Sequence, residues 1–183
     1  MTAPILSVLV PMVPGRSTAT LESLLEQARG RPVEVLALLD NRMRSIGLKR
    51  DALLHSSRGE YVAFVDDDDL ISSQYINMIL IGLLPRPDAV LFDVEVRDVS
   101  GEERQDLLIC KLGSQDEDIR FDGTPVKRGL WHIHTIRGEL ARKAHFPDLQ
   151  YGEDIVWLRQ VRPLVRETTK VDSVLYTYLW RGE

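Results

Sequence analysis

A chain of 183 residues is long enough to bury one core, and a content of 44% hydrophobic and 28% charged residues excludes a disordered or low-complexity scaffold. The net charge of -5 argues against a protein that coats nucleic acid, because phosphate binding needs a basic face. No apolar run reaches the roughly 18 residues of a membrane-spanning helix, and the start, Met1-Thr-Ala-Pro, lacks the basic and apolar regions of a leader, so the expected location is the cytoplasm.

Ile5 to Val10 is almost wholly apolar and β-branched, stops at Pro11, and predicts a strand buried on both faces. After the turn-rich Val13-Pro14-Gly15-Arg16-Ser17, Leu21, Leu24, Leu25 and Ala28 fall on one face of a helix from Thr18 to Ala28, closed by Gly30. Val33 to Leu39 predicts a second strand with Asp40 at its C-terminal end. Ser45 to Ser57 predicts a second helix, and Tyr61 to Val65 a third strand that delivers Asp66, Asp67, Asp68 and Asp69. This β-α-β-α-β order predicts an α/β fold with a mostly parallel, Rossmann-like sheet flanked by helices, and such sheets bind ligands at the carboxyl ends of their strands, where Pro11, Asp40 and the aspartates all fall.

Further on, a helix is expected over Ser72 to Leu84 and a strand over Asp88 to Val96. Asp98 to Thr124 is polar and glycine-containing and reads as an irregular, mobile connection within one domain, between residues 1–97 and residues 98–183. Cys110 has no disulfide partner, and no Cys or His accompanies it at zinc-ligand spacing. Lys127, Arg128, Arg137, Arg142 and Lys143 face one acid, Glu139, in a locally basic stretch. A short helix over Arg137 to Ala144, a longer one over Gly152 to Val165 and a strand over Val171 to Leu179 complete the chain.

Four carboxylates at one strand end repel one another unless a cation or solvent relieves them, which suits an oxygen-bound divalent ion, Mn²⁺ or Mg²⁺. A solvated loop capping the next helix is the simpler reading, most of all for Asp69. His132 and His134 alternate in Trp131-His-Ile-His-Thr and on a strand would share a face. Of the two, His134 is the candidate metal ligand; half-buried hydrogen-bonding residues are the alternative.

The stretch Arg44-Ser-Ile-Gly-Leu-Lys-Arg-Asp-Ala-Leu-Leu, then Ser57-Arg-Gly-Glu-Tyr-Val-Ala-Phe-Val-Asp-Asp-Asp-Asp, resembles the first half of the family 2 glycosyltransferases of the GT-A fold. Phe146-Pro-Asp, Tyr151-Gly-Glu-Asp-Ile-Val-Trp and Leu175-Tyr-Thr-Tyr-Leu-Trp-Arg resemble its second half. The resemblance implies an inverting enzyme that moves a sugar from a nucleoside-diphosphate sugar, UDP-linked, to an acceptor hydroxyl with the help of Mn²⁺ or Mg²⁺. It implies that Asp40 contacts the base, that Lys49 and Arg50 reach the phosphates or uracil, and that Asp66, with Asp67 beside it, meets the nucleotide. It further implies that Asp68, with Asp66, meets the metal, and that Asp154, with Glu153 next to it, is the general base. The family usually has Asn in place of Asp51 and Asp-Gly-Ser in place of Asp40-Asn41-Arg42.

The acceptor is a saccharide or glycan on this reading, and the basic stretch leaves a modified base in nucleic acid as a second option. A non-catalytic nucleotide-sugar-binding homologue and a Mg²⁺-dependent nucleotidyltransferase are the alternatives. The second of these lacks its phosphate loop, since Pro11-Met-Val-Pro-Gly-Arg is not G-x-x-x-x-G-K-[ST].

Overall fold

The computed structural model describes residues 3–100 and 104–182; Met1 and Thr2 of the start read above, Gly101 of the polar connection, and Glu183 lie outside the described residues. The first half follows the predicted order: β1 (Leu6–Met12), α1 (Ala19–Ala28), β2 (Val33–Leu39), α2 (Ile46–Ser56) and β3 (Tyr61–Phe64). β1 is buried at every position because it pairs in parallel with β2 on one side, Leu6 with Val33 through Met12 with Leu39, and with β3 on the other, Leu6 with Tyr61 through Leu9 with Phe64.

The period of two along these strands divides the core between the sheet's faces. Leu6, Val8 and Val10 of β1 and Tyr61 and Ala63 of β3 pack with Leu24 of α1 and with Ile76 and Ile79 of α3 (Tyr75–Gly82). Leu9, Val62 and Phe64 point the other way, to Leu53 and Leu54 of α2 and to Trp157 and Leu158 of α5 (Glu153–Val161). Each fully buried Val, Leu, Ile or Phe side chain among them contributes about 1.5–3 kcal/mol, so both helical layers are held firmly against the strands whose ends carry the polar residues.

The remaining strands are β4 (Leu70–Ile71), β5 (Ala89–Asp98), β6 (Arg104–Cys110), β7 (Val126–Arg128), β8 (Thr135–Arg137) and β9 (Thr168–Trp180). Among the described residues the nine strands form one sheet, ordered β2-β1-β3-β8-β5-β6-β7, with β9 paired to β5 and β4. The longest ladders are parallel, β1 with β2 and β5 with β9, while β8 joins the halves antiparallel to both β3 and β5. Helices cover the sheet, as the α/β reading expects, and among the described residues no helix is long and apolar enough to cross a membrane.

Several elements differ from expectation. Residues 104–110, within the stretch read as irregular, form β6: Asp106, Leu108 and Cys110 point inward, and the inward acid hides the apolar alternation. Asp106 is satisfied there by the backbone N–H groups of Arg120, Phe121 and Gly123. α3 begins at Tyr75 rather than Ser72, because Leu70 and Ile71 are taken by β9 as β4 and Ser72 N–H donates to Leu175 O. The short helix is only Gly138–Ala141, α4, and α5 tightens into a 3-10 turn at Arg162–Leu164, where Pro163 lacks the N–H an α-helix needs. Trp131 to His134 is not a strand but a turn, closed by His134 N–H donating to Trp131 O.

Candidate active site

The carboxyl ends of β1, β2 and β3 open on one edge of the sheet, and the four aspartates leave β3 as a turn in which Asp69 N–H donates to Asp66 O. Each has its own surroundings. Asp66 Oδ1 accepts from Arg50 Nη2 at 2.7 Å. Burial favours the neutral acid, but Arg50 and His132 overcome it and hold this carboxyl far below the usual range. Asp67 is buried and accepts from Val13 N–H at 2.6 Å and from Arg16 Nη1 at 2.7 Å, which fixes the turn after β1. Asp68 remains partly open and lies between two guanidiniums, Arg16 Nη2 at 3.1 Å and Arg181 Nη1 at 2.9 Å.

Asp69 caps no helix, contrary to expectation. It is buried against β9, where it accepts from Tyr176 Oη at 2.7 Å and from Leu179 N–H at 2.8 Å. Burial, together with the charge of Asp66, pushes its carboxyl up to about 7.

Opposite the aspartates stands α5. Gly152 takes the left-handed conformation that starts it, with φ 77°, so Glu153 and Asp154 lie in the first turn, where the helix dipole favours carboxylates. Glu153 is buried and accepts from Arg50 Nε at 3.0 Å. Arg50 therefore ties α5 to the strand end, and its Nη1 is buried with no partner. Asp154 Oδ2 lies 3.0 Å from His132 Nδ1, close but off the N–H axis, and His132 Nε2 lies 3.5 Å from Asp66 Oδ2. Burial would raise the Asp154 carboxyl, yet the imidazole lowers it to about 2. Burial and Arg50 would lower His132, but Asp154 and Asp66 prevail and its pKa is raised.

The histidine expectation is corrected. His134 is fully buried, its Nδ1 accepts from Trp131 N–H at 2.9 Å and its Nε2 faces Phe92 O at 3.2 Å, so both ring nitrogens are engaged by backbone and neither faces the aspartates. Desolvation pushes it down to about 4. The turn at Trp131 to His134 sends His132 into the site instead.

Asp40 and Lys49 form a neighbouring pair. Lys49 Nζ is buried, 2.8 Å from Asp40 Oδ1, and donates to Met12 O at 2.7 Å; it is not on a solvated face. This ion pair lowers the Asp40 carboxyl, whose Oδ2 is left without a partner.

Two cavities meet at this edge. One of about 370 Å³ is lined by Pro11, Arg16, Arg50, Asp66, Asp67, Asp68, Glu153 and Tyr178, among others, and one of about 480 Å³ by Asp116, Arg128, Leu158, Arg159 and Arg162. Trp131 and Asp154 line both. Trp157 by contrast is core, stacked on Phe146 at 4.7 Å. Sequence alone does not single out Arg16, which lies in a turn signal, or Arg181, which lies in the closing motif; only proximity in the fold reveals them. Of the basic stretch, Arg137 pairs with Asp88 and Arg142 with Ser57 Oγ and Gly59 O, so these charges serve the fold and do not form a free basic face.

This architecture, a single α/β domain with a mostly parallel sheet whose strand ends carry an acidic turn, is of the GT-A type. No family model matches the chain, and no curated protein matches it. Solved structures of TarS from S. aureus are similar: one at 18% identity and a TM-score of 0.64 over 96% of this chain and 36% of that one. TarS 1–349 in complex with UDP-GlcNAc is 18% identical with a TM-score of 0.60, covering 97% and 59%, and its complex with UDP is 18% identical with a TM-score of 0.65, covering 96% and 60%. The chain thus spans between about a third and three-fifths of those chains, and at this identity the likeness establishes the fold.

Proposed function

We propose that the chain is an inverting glycosyltransferase that moves a sugar from a UDP-linked donor to an acceptor hydroxyl with the help of Mn²⁺ or Mg²⁺. The observation that carries this reading is Asp154, an ionised carboxylate in the wall shared by two cavities. The donor occupies the cavity of Asp66 to Asp68, and the UDP and UDP-GlcNAc complexes among the similar structures support a UDP-linked donor. The acceptor occupies the other. Asp154 takes the proton of the acceptor hydroxyl as its oxygen attacks the anomeric carbon on the face opposite the departing diphosphate, which inverts the configuration.

Arg50 supports the leaving diphosphate through its free, buried Nη1, held in place by Asp66 and Glu153. Glu153 is a positioning residue, since its carboxylate is turned to Arg50. The unpartnered Oδ2 of Asp40 is the acceptor for the base, with Lys49 holding the carboxylate and Pro11 forming the cavity wall, while Asp67 orders the Val13 turn beside it. Residues 1–97 supply most donor contacts and residues 98–183 the general base, Asp154, and the acceptor side.

The donor set fits a hard divalent ion: Asp68 offers a partly open carboxylate, with Asp66 beside it, and the diphosphate and water would complete the shell. When bound, the ion neutralises charge on the leaving diphosphate. Arg16 and Arg181 are the contacts it would displace from Asp68.

The test is hydrolysis and transfer from UDP-sugars with Mn²⁺ or Mg²⁺, comparing wild type with Asp154→Asn. Turnover should fall by about 10²–10⁴-fold in the variant while UDP binding persists. UDP binding without turnover in the wild type would instead support a non-catalytic homologue, and no binding of any nucleotide-sugar would end the reading.

A further inference from the structure

We propose that Asp51 and His55 of α2, brought against His145 of the segment after α4, form a surface site for a divalent transition-metal ion, Zn²⁺ by its ligand chemistry. The site stands apart from the cavities above and does not rest on the proposed transferase activity.

Asp51 and His55 are four residues apart and therefore share a face of α2. His145 arrives from 94 positions away. His55 Nε2 lies 3.5 Å and His145 Nδ1 3.2 Å from the same oxygen, Asp51 Oδ1, and one ligand atom from each of the three residues can be chosen within 4.8 Å of the others. Zinc binds imidazole nitrogen and carboxylate oxygen at about 2.0–2.2 Å, so neighbouring ligands of a tetrahedral ion stand roughly 3.3–3.6 Å apart. Both separations from Asp51 fall at or close to that spacing. The two imidazoles stack, with centroids 4.4 Å apart and planes 25° from parallel, so they approach the carboxylate side by side.

The arrangement is supported from behind, as a metal site requires. Phe146 N–H donates to Asp51 Oδ1 at 3.0 Å, and the Phe146 ring is buried between Phe64 and Trp157, which fixes His145 beside α2. Gln160 Nε2 donates to His145 O at 3.4 Å. The His145 side chain itself is 72% exposed, leaving the fourth position to water. Two imidazoles with one carboxylate select Zn²⁺ over Mg²⁺, which prefers oxygen alone.

The consequence is mechanical. An ion here would fasten α2, whose Lys49 and Arg50 hold Asp40, Asp66 and Glu153, to the chain leading into α5. The experiment is calorimetric titration of the tag-free 183-residue chain with Zn²⁺, alone and in excess Mg²⁺, with melting temperature read in parallel. Wild type should take up one equivalent that Mg²⁺ does not displace, and at a hundredfold excess over Kd its Tm should rise by roughly 5–10 °C. His145→Ala, a change at an exposed side chain, should lose that equivalent and the Tm response. Unchanged binding in both His145→Ala and His55→Gln, which would place the ion elsewhere, or no saturable binding in wild type, overturns the proposal. UDP binding, followed in the same samples, reports on the cavity separately.

Discussion

Arg50 Nε meets Glu153 Oε1 at 3.0 Å across 103 positions of sequence, in a pair almost wholly removed from water. The same guanidinium holds Asp66, so one cation stabilises two buried acids that α2, α5 and β3 bring together. Removing one member of such a set leaves uncompensated charge in a medium that solvates it poorly. Arg50→Met should cost about 3–5 kcal/mol, read as a lower urea midpoint. Glu153→Gln keeps an oxygen acceptor for Arg50 and should cost less. Equal losses in the two variants would mean that Arg50 does not bridge the acids in solution.

The contact of His132 with Asp154 gives stability a pH signature. The Asp154 carboxyl lies at about 2, below its ordinary 3.8, so its contribution is present above pH 4 and is lost as pH falls toward 2. His132 is raised above 6.5, so its contribution is complete below that value and is lost as pH rises through the folded-state pKa. The pair therefore stabilises most between about pH 4 and 6.5. His132→Ala should lower the denaturation midpoint most in that window and less at pH 9. A difference that stays flat from pH 3 to 9 would show that the imidazole contributes only packing.

What was legible in the sequence was what periodicity encodes. β1 could be read because it has neighbours on both sides and a helical layer on both faces, which demands an unbroken apolar run. The aspartate turn followed from strand order. β6 could not be read, because Asp106 occupies an inward position that only the backbone of residues 120–123 makes tolerable, and no local signal announces that loop. Alternation places His132 and His134 on one face of a strand, whereas a turn closed by His134 N–H donating to Trp131 O separates the two rings, and only that of His132 reaches the acids. Asp69 looked like a helix cap because the partners that claim it, Tyr176 and Leu179, lie more than a hundred positions on.

Gly47 reverses a general rule. In an exposed helix, Gly→Ala stabilises by about 1 kcal/mol through propensity. Here a Cβ would overlap the carbonyl oxygen of Pro147 and stand 3.1 Å from that of Leu149, both backbone atoms, while Gly47 N–H donates to Leu149 O. Overpacking against backbone typically costs about 1–3 kcal/mol, so Gly47→Ala should destabilise. A raised melting temperature would mean that the Pro147 to Leu149 segment yields freely and does not brace α2.

Asp68 separates a role in ion binding from one in folding. Its partners Arg16 and Arg181 are both about half exposed, and ion pairs of that kind contribute about 0–1 kcal/mol. Burial, offset in part by Arg16, leaves its carboxyl raised, which also limits what the pairs add. Asp68→Asn should therefore unfold within about 1 kcal/mol of wild type. Its effect should fall on the donor: in wild type, Mn²⁺ should tighten UDP binding, because an ion held by Asp68 would offset charge on the diphosphate, whereas in Asp68→Asn the UDP affinity should be the same with Mn²⁺ or with a chelator. Because Arg16 and Arg181 remain free to meet the diphosphate in the variant, its metal-free affinity should match or exceed that of wild type. An undiminished Mn²⁺ effect in Asp68→Asn would move the ion to another carboxylate, and no Mn²⁺ effect in wild type would leave charge neutralisation to the two arginines alone.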